Sequence, residues 1–247
     1  MIPKRPLGVG VRADYREIAF ERKAQHRRLR GVRIGAYLHH RTSGSAPMPP
    51  ALDFFFELAS TYSYPAAMRI GGLAQTAGVT VRWRPFLLGP IFKARGWDNS
   101  PFNLYPDKGR YMWRDLERVT AALGLPFQRP DPFPQSSLLA ARVAHVGLAQ
   151  GWGEAFCRAV YTAEFGAGRS IADNDVIAEL LRGLEVAPEP VLARAQSHEI
   201  KAKLRTETEA AQRLGIFGAP SFVIGEELFW GNDRLEAALA WARARSG

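Results

Sequence analysis

A single cysteine, Cys157, stands in the 247 residues. No disulfide can close within the chain, and an all-cysteine metal site is excluded. Histidine is almost as sparse, with five in all. His145 and His198 fall in helical segments without a second ligand at metal-binding spacing, so no metal site is expected. No apolar run approaches the roughly 18 residues of a membrane span. The first residues carry no apolar leader core, and the expected compartment is the cytoplasm, with no membrane partner. Acidic residues are short in one place only: residues 1–47 hold 11 Lys+Arg against 3 Asp+Glu, a net +8, and the rest of the chain holds 22 against 21, a net +1. The overall +9 is therefore the property of a tail. A near-neutral body argues against nucleic acid as the partner of the folded part, although the tail can touch nucleic acid or anionic lipid through charge alone.

What is present is an ordinary globular composition, 47% apolar and 23% charged. Residues 1–50 read as a basic N-terminal extension, disordered or partly helical, ending in the linker-like "TSGSAPMPP". Met48 directly precedes the first strong strand, so an alternative start of translation at that residue stands beside a real tail and an Arg-rich transit segment.

From there the pattern is legible. "ALDFFFEL" (51–58) reads as a buried strand, "YPAAMRIGGLAQTAG" (64–78) as a helix with Pro65 in its first turn and Gly78 past its end, and "VTVRWRPFLL" (79–88) as a strand. A β-α-β start of this kind implies two parallel strands and a right-handed crossover. Segments of helical periodicity follow through "DNDVIAELLRGL", with Asp173 as a cap. Next come the long helix "SHEIKAKLRTETEAAQRLG", a hairpin in "APSFVIGEELFWG" turning at Gly225-Glu226, and a last helix capped by Asn232. The expectation is an α/β, thioredoxin-like fold formed by 51–88 and 198–247, with a helical insertion domain, 89–197, between its β-α-β and α-β-β-α halves.

Three places carry chemistry. Ser60 and Ser63 sit at the strand-to-helix junction, where unpaired N–H groups and the helix dipole converge. Thioredoxin-like oxidoreductases place Cys-x-x-Cys there because a helix N-terminus stabilises a thiolate. Serine cannot exchange disulfides, but its hydroxyl can donate to a thiolate brought by another molecule. Helix capping is the competing reading, and on position alone the commoner one. In "FGAPSF", Pro220 precedes the hairpin, where a cis-proline turns the backbone of Ala219 towards a peptide ligand; an ordinary proline at a strand start is the alternative. In "FWGNDRL", Asn232 and Asp233 open the last helix, offering a site for an anion beside a carboxylate for an ammonium, the two groups of a γ-glutamyl head. The alternative is a cap followed by a first-turn acid. Cys157 reads as a buried small apolar group.

The stretches "FFFELASTYSYPAAM", "RWRPFLLGPIFKARGWDNSP", "KGRYMWRDLERV" and "LGIFGAPSFVIGEELFWGNDRLEAAL" resemble the 2-hydroxychromene-2-carboxylate isomerases, a family grouped with kappa-class glutathione transferases and DsbA-type proteins. The resemblance covers about residues 51–245, and departs from the family at Thr61, where a proline is usual. It implies glutathione as cofactor, a small aromatic carboxylate as substrate, and a homodimer. It implies that Ser60 is catalytic and holds the glutathione sulfur, that Ala219 and Pro220 bind the cysteinyl part, and that Gly231, Asn232 and Asp233 bind the γ-glutamyl part. Lys93 and Asn99 match polar positions near the substrate. The implied reaction interconverts 2-hydroxychromene-2-carboxylate and trans-o-hydroxybenzylidenepyruvate, in aromatic catabolism, through a transient thiolate adduct that lets a double bond rotate. A kappa-like glutathione transferase and a non-catalytic glutathione-binding module are the other readings. A disulfide oxidoreductase is disfavoured, both thiols being absent from the junction.

Overall fold

Four short strands set the frame. β1 (Ala51–Phe56) and β2 (Thr80–Pro85) are joined by helix α1 (Ser63–Ala77), and β3 (Ser221–Ile224) and β4 (Glu227–Trp230) form the hairpin. The computed structural model describes residues 49–245, and the readings made on residues 1–48 lie outside them. The sheet order is β2-β1-β3-β4. β1 runs parallel to β2, with Ala51 opposite Thr80 and Phe56 opposite Pro85. β3 lies antiparallel to both β1 and β4, with Phe54 opposite Phe222 and Ser221 opposite Trp230. This is the thioredoxin-like sheet expected from the order of elements.

The period of two along β1 decides which core each side chain enters. Leu52, Phe54 and Phe56 enter the larger core. Phe55 points the other way, into a smaller cluster with Phe86, Ile91, Ala219 and Val223. Phe54 contacts the rings of Phe56, Trp83 and Phe222 at centroid distances of 5.0, 5.0 and 5.5 Å. Burying such a ring in a site that cannot collapse is worth about 3–5 kcal/mol against alanine. β2 stops at Pro85, three residues short of the expected end, because proline brings no ladder donor.

Between the halves of the sheet lie seven helices: α2 (Leu88–Ala94), α3 (Pro101–Leu104), α4 (Pro106–Ala122), α5 (Leu138–Gln150), α6 (Gly153–Tyr161), α7 (Asn174–Gly183) and α8 (Pro188–Ala195). They share a core with the sheet. Tyr161 reaches Phe56 and Tyr64, and Tyr64 stacks on Phe165. Helix α6 ends at Tyr161, and a π-helical turn, Thr162–Gly166, follows it directly. The long helix α9 (His198–Arg213) is capped by Ser197, whose hydroxyl accepts from the Ile200 N–H at 3.3 Å. Asp173 caps α7 as expected, accepting from the Asp175 N–H at 2.9 Å. The final helix, α10 (Leu235–Ala244), is preceded by a 3-10 turn, Asn232–Arg234. Among the described residues no helix is long and apolar enough to cross a membrane, and no group of three or more His, Cys, Asp and Glu side chains is placed to hold a metal.

Candidate functional site

Strand β1 delivers the chain to the site from inside the core. Its last residue is Phe56, and Glu57 to Tyr62 make a tight connection into α1, which opens at Ser63, one residue earlier than its periodicity suggests. Two backbone bonds fold the connection: the Ser60 N–H donates to the Glu57 carbonyl at 3.0 Å, and the Ser63 N–H to the Ser60 carbonyl at 3.1 Å. Helix α1 has no side-chain cap. The Ser60 hydroxyl donates instead to the Ala219 carbonyl at 3.1 Å. Capping is therefore not what Ser60 does. Ser63 is fully buried beside the Tyr161 hydroxyl, and it does not cap α1 either.

The loop is pinned to the inserted helices by its next two residues. Thr61, where the resembled family has proline, is buried and donates its hydroxyl to the Met112 Sδ on α4 at 3.2 Å. The Tyr62 hydroxyl donates to Asp115 on the same helix at 3.0 Å. Burial first, and then the Asp115 carboxylate, push the Tyr62 phenol well above its ordinary range. A side-chain tie thus replaces the stiffness that a proline ring would bring.

Opposite the loop, the Ala219–Pro220 peptide bond is cis, as expected from the fold. The Pro220 carbonyl accepts from the Gly231 N–H at 3.0 Å, which brings the third group of residues alongside. Gly231 has φ +110°, and a Cβ there would lie 2.5 Å from Asp233 Oδ1. Glycine is required by that φ, which side chains of L residues rarely adopt, and its bare Cα leaves room for the Asp233 carboxylate. Asp233 is otherwise open, 72% exposed, with Arg234 3.5 Å away.

Asn232 corrects the sequence reading. It does not cap α10. Its side-chain oxygen accepts from Arg69 Nε at 3.1 Å, and its carbonyl from Arg69 Nη2 at 2.6 Å. The same guanidinium pairs with Glu236 and holds that carboxyl below its usual range. Arg69, on α1, thus locks the turn carrying Asp233 onto the helix that follows Ser60. Nothing in its sequence neighbourhood marks it, since its partners lie more than 160 residues away.

Two further groups escape a reading by pattern. Phe217 and Trp230, 42% and 50% exposed, stand 4.8 Å apart between ring centroids. The Trp230 indole lies against Gly218, where a Cβ would meet its nitrogen at 2.5 Å, so an aromatic lip flanks Ala219. Beneath the loop, Glu57 and Glu164 are buried carboxyls without a cation. Burial pushes Glu57 up to about 7, and burial with the neighbouring Glu57 charge pushes Glu164 well above the carboxylate range.

Ser60, Ala219, Pro220, Gly231 and Asp233 are thus joined by direct contacts, and Asn232 is tied in through Arg69. Lys93 and Asn99 are exposed, and no hydrogen bond or ion pair among the described residues joins either to Ser60. Lys93 lies on α2, whose Ile91 packs in the same cluster as Ala219. Asn99 organises its own turn, its side-chain oxygen accepting from the Ser100 N–H at 2.7 Å and the Asn103 amide at 3.1 Å. Two cavities, about 370 Å³ beside β2 and about 420 Å³ along residues 129–133, are lined by neither Ser60 nor Ala219. Cys157 is fully buried, and burial raises its thiol well above the ordinary range, so it is no nucleophile.

Residues 51–240 match the family model described as the DSBA-like thioredoxin domain. The chain is 29% identical over 191 residues to the 2-hydroxychromene-2-carboxylate isomerase of Sphingobium xenophagum, covering 76% of this chain and 96% of the relative. It is 27% identical over 208 residues to glutathione S-transferase kappa 1 of Homo sapiens, covering 77% and 89%. The solved structure of a 2-hydroxychromene-2-carboxylate isomerase superposes with a TM-score of 0.71 at 27% identity, covering 79% of this chain and 95% of that one.

Proposed function

The chain belongs to the DSBA-like thioredoxin-domain family, and from that premise we propose that it is a glutathione-dependent isomerase interconverting 2-hydroxychromene-2-carboxylate and trans-o-hydroxybenzylidenepyruvate. The observation that carries the reading is the Ser60 hydroxyl aimed at the carbonyl before a cis-proline, where the oxidoreductases of this fold need a thiol. The described residues hold one cysteine, buried in α6, so a dithiol reaction has no second sulfur.

The donor set suits glutathione. Ser60 offers an O–H to a sulfur, the Ala219 backbone can pair with the cysteinyl amide, and Asp233 is an open carboxylate for an ammonium. Bound there, glutathione would supply a thiolate as a reversible nucleophile, which is the chemistry that rotation about a conjugated double bond calls for. Ser60 turns its proton from the Ala219 carbonyl to the sulfur, because a thiolate is the stronger, charge-bearing acceptor. Lys93, which forms no ion pair among the described residues, holds the substrate carboxylate and the charge that develops on the carbonyl side. The Phe217 and Trp230 rings lend an apolar wall to the aromatic part of the substrate.

The kappa-class match supports a second reading, transfer of glutathione to an electrophile at the same site. Ultraviolet assays separate the two. The chromene acid should equilibrate with its open isomer at a rate that depends on catalytic glutathione, and a chlorinated aryl electrophile should not consume it. Isomerisation that ignores glutathione would overturn the proposal.

A further inference from the structure

Glu57 is the one acidic side chain in the connection from β1 to α1, and the chain uses it four times. Its backbone carbonyl accepts from the Ser60 N–H and from the Tyr161 hydroxyl, each at 3.0 Å. Its side-chain Oε1 accepts from the Ala59 N–H at 3.3 Å and from the Ser137 hydroxyl, just ahead of α5. One residue therefore ties the Ser60 loop to α6 and to the start of α5, from beneath. We infer that Glu57 is a positioning residue for Ser60, and that the charge state of its carboxyl sets how well the loop accommodates a thiolate. The inference rests on the reading of Ser60 as the sulfur-holding residue.

The surroundings give the carboxyl two distinct states. It is 7% exposed. The titratable groups facing it are Tyr161 from α6 and Glu164 from the π-helical turn, with Cys157 behind Tyr161. Ser137 adds a hydroxyl to Glu57 and Ser63 of α1 lies beside Tyr161, while Arg158 of α6 and Arg69 of α1 form no ion pair with Glu57 among the described residues. Glu164 is itself fully buried, with both oxygens lacking a hydrogen-bond partner, and burial holds its proton more tightly than an ordinary carboxyl does. An ionised Glu57 is therefore a negative charge held by a few donors, two positions in sequence from Ala59 and three from Ser60. It opposes a second negative charge on a sulfur at Ser60. A neutral Glu57 keeps an acceptor oxygen for Ala59 and Ser137 and removes the repulsion. Burial places the change at about pH 7, where it matters to a thiol. The coupling is reciprocal: a bound thiolate must draw a proton onto Glu57 more tightly than the free protein does.

The test is a thiolate absorbance titration of the full chain with glutathione bound, from pH 5 to 9. In the unaltered protein the thiol should titrate in two steps, one of them near pH 7. Glu57→Gln keeps the acceptor for Ala59 and Ser137 and cannot ionise, so it should give a single step at lower pH. Glu57→Ala loses the clamp as well, and should bind glutathione at least tenfold more weakly at every pH, a loss that Glu57→Gln rescues. Superimposable titrations of the unaltered protein and Glu57→Gln would overturn the role of Glu57 while leaving the reading of Ser60 intact. Failure of the unaltered chain to bind glutathione would overturn the reading of the site itself, and this inference with it.

Discussion

The hydroxyl of Ser60 donates to the carbonyl of Ala219 at 3.1 Å across 159 residues of sequence. That bond joins the loop after β1 to the cis-proline segment, and it places the one mobile proton of the site between two acceptors, the carbonyl and an incoming sulfur. Replacing Ser60 by alanine removes the proton and leaves the backbone of both segments in place. A hydrogen bond to a charged group is worth about 1.5–3 kcal/mol, and a pKa unit about 1.4 kcal/mol. Ser60→Ala should raise the pKa of bound glutathione by about 1–2 units, read from thiolate absorbance, and slow isomerisation at neutral pH by roughly the same factor of 10–100. An unchanged titration would reduce Ser60 to a structural tie.

Ser60→Cys puts a thiol on the same loop, beside the uncapped N-terminus of α1. Incubated with oxidised glutathione, it should form a mixed disulfide and release one reduced glutathione, seen as a mass increase of one glutathionyl group. The unaltered chain should remain unmodified, since its cysteine is buried. Modification of both proteins would place the reactive sulfur at Cys157.

Asp233 is open to solvent, so its pull on an ammonium is screened. Asp233→Ala should weaken glutathione binding about tenfold in calorimetry, about 1.4 kcal/mol, with the melting temperature unchanged. Equal affinity would make Asp233 only the residue that folds over Gly231.

Arg69 supplies a fork to Asn232 and Glu236 that an ammonium cannot reproduce. Arg69→Lys should therefore lose most of what Arg69→Ala loses in glutathione affinity, although Arg69 touches no ligand group in the proposed site. A double-mutant cycle with Asn232→Ala checks this. If the two changes add without interaction, the turn is held by something else.

The sequence made the sheet readable because the signals are local. The apolar run of "ALDFFFEL", the glycine turn of the hairpin and the proline of "GAPSF" each report on a few neighbours. The junction serines were readable as a place but not as a geometry, since the partner of Ser60 lies on the other half of the sheet. Asn232 misled for the same reason: a side chain that would cap a helix was claimed by an arginine from α1. Asp131-Pro132 and Phe133-Pro134 are cis as well, and periodicity carries no sign of that. The buried carboxyls were the least legible. Glu57 closes an apolar strand and Glu164 sits in an apolar helix repeat, where the composition suggests a solvent-facing acid, and burial is decided by helices that arrive from elsewhere.

The buried carboxyls and the buried His145 give stability pH dependences of opposite sign. Glu57 has its folded value at about 7, against 4.5 ordinarily, so the folded state holds its proton more tightly than the unfolded chain. Its contribution is fully present below pH 4.5 and is lost as pH rises through 7. Glu164, raised by the same burial, has the same sign. His145 runs the other way. Burial first, and then Lys203, lower it to about 4 from 6.5, so its contribution is present above pH 6.5 and is lost as pH falls towards 4. Between pH 5 and 6.5 the histidine offsets one of the carboxyls, and above 6.5 the carboxyls act alone. The gap at Glu57 corresponds to about 3 kcal/mol, or roughly 6–12 °C for a chain of this size. The melting temperature of Glu57→Gln relative to the unaltered chain should therefore climb by about that amount between pH 5 and 8. The Glu57→Gln/Glu164→Gln double variant should become more stable from pH 5 to 6.5 and then level off, as His145 alone dictates. A constant difference across this range would mean that Glu57 ionises as freely in the folded protein as in the unfolded chain, and that the loop beneath Ser60 is open to water.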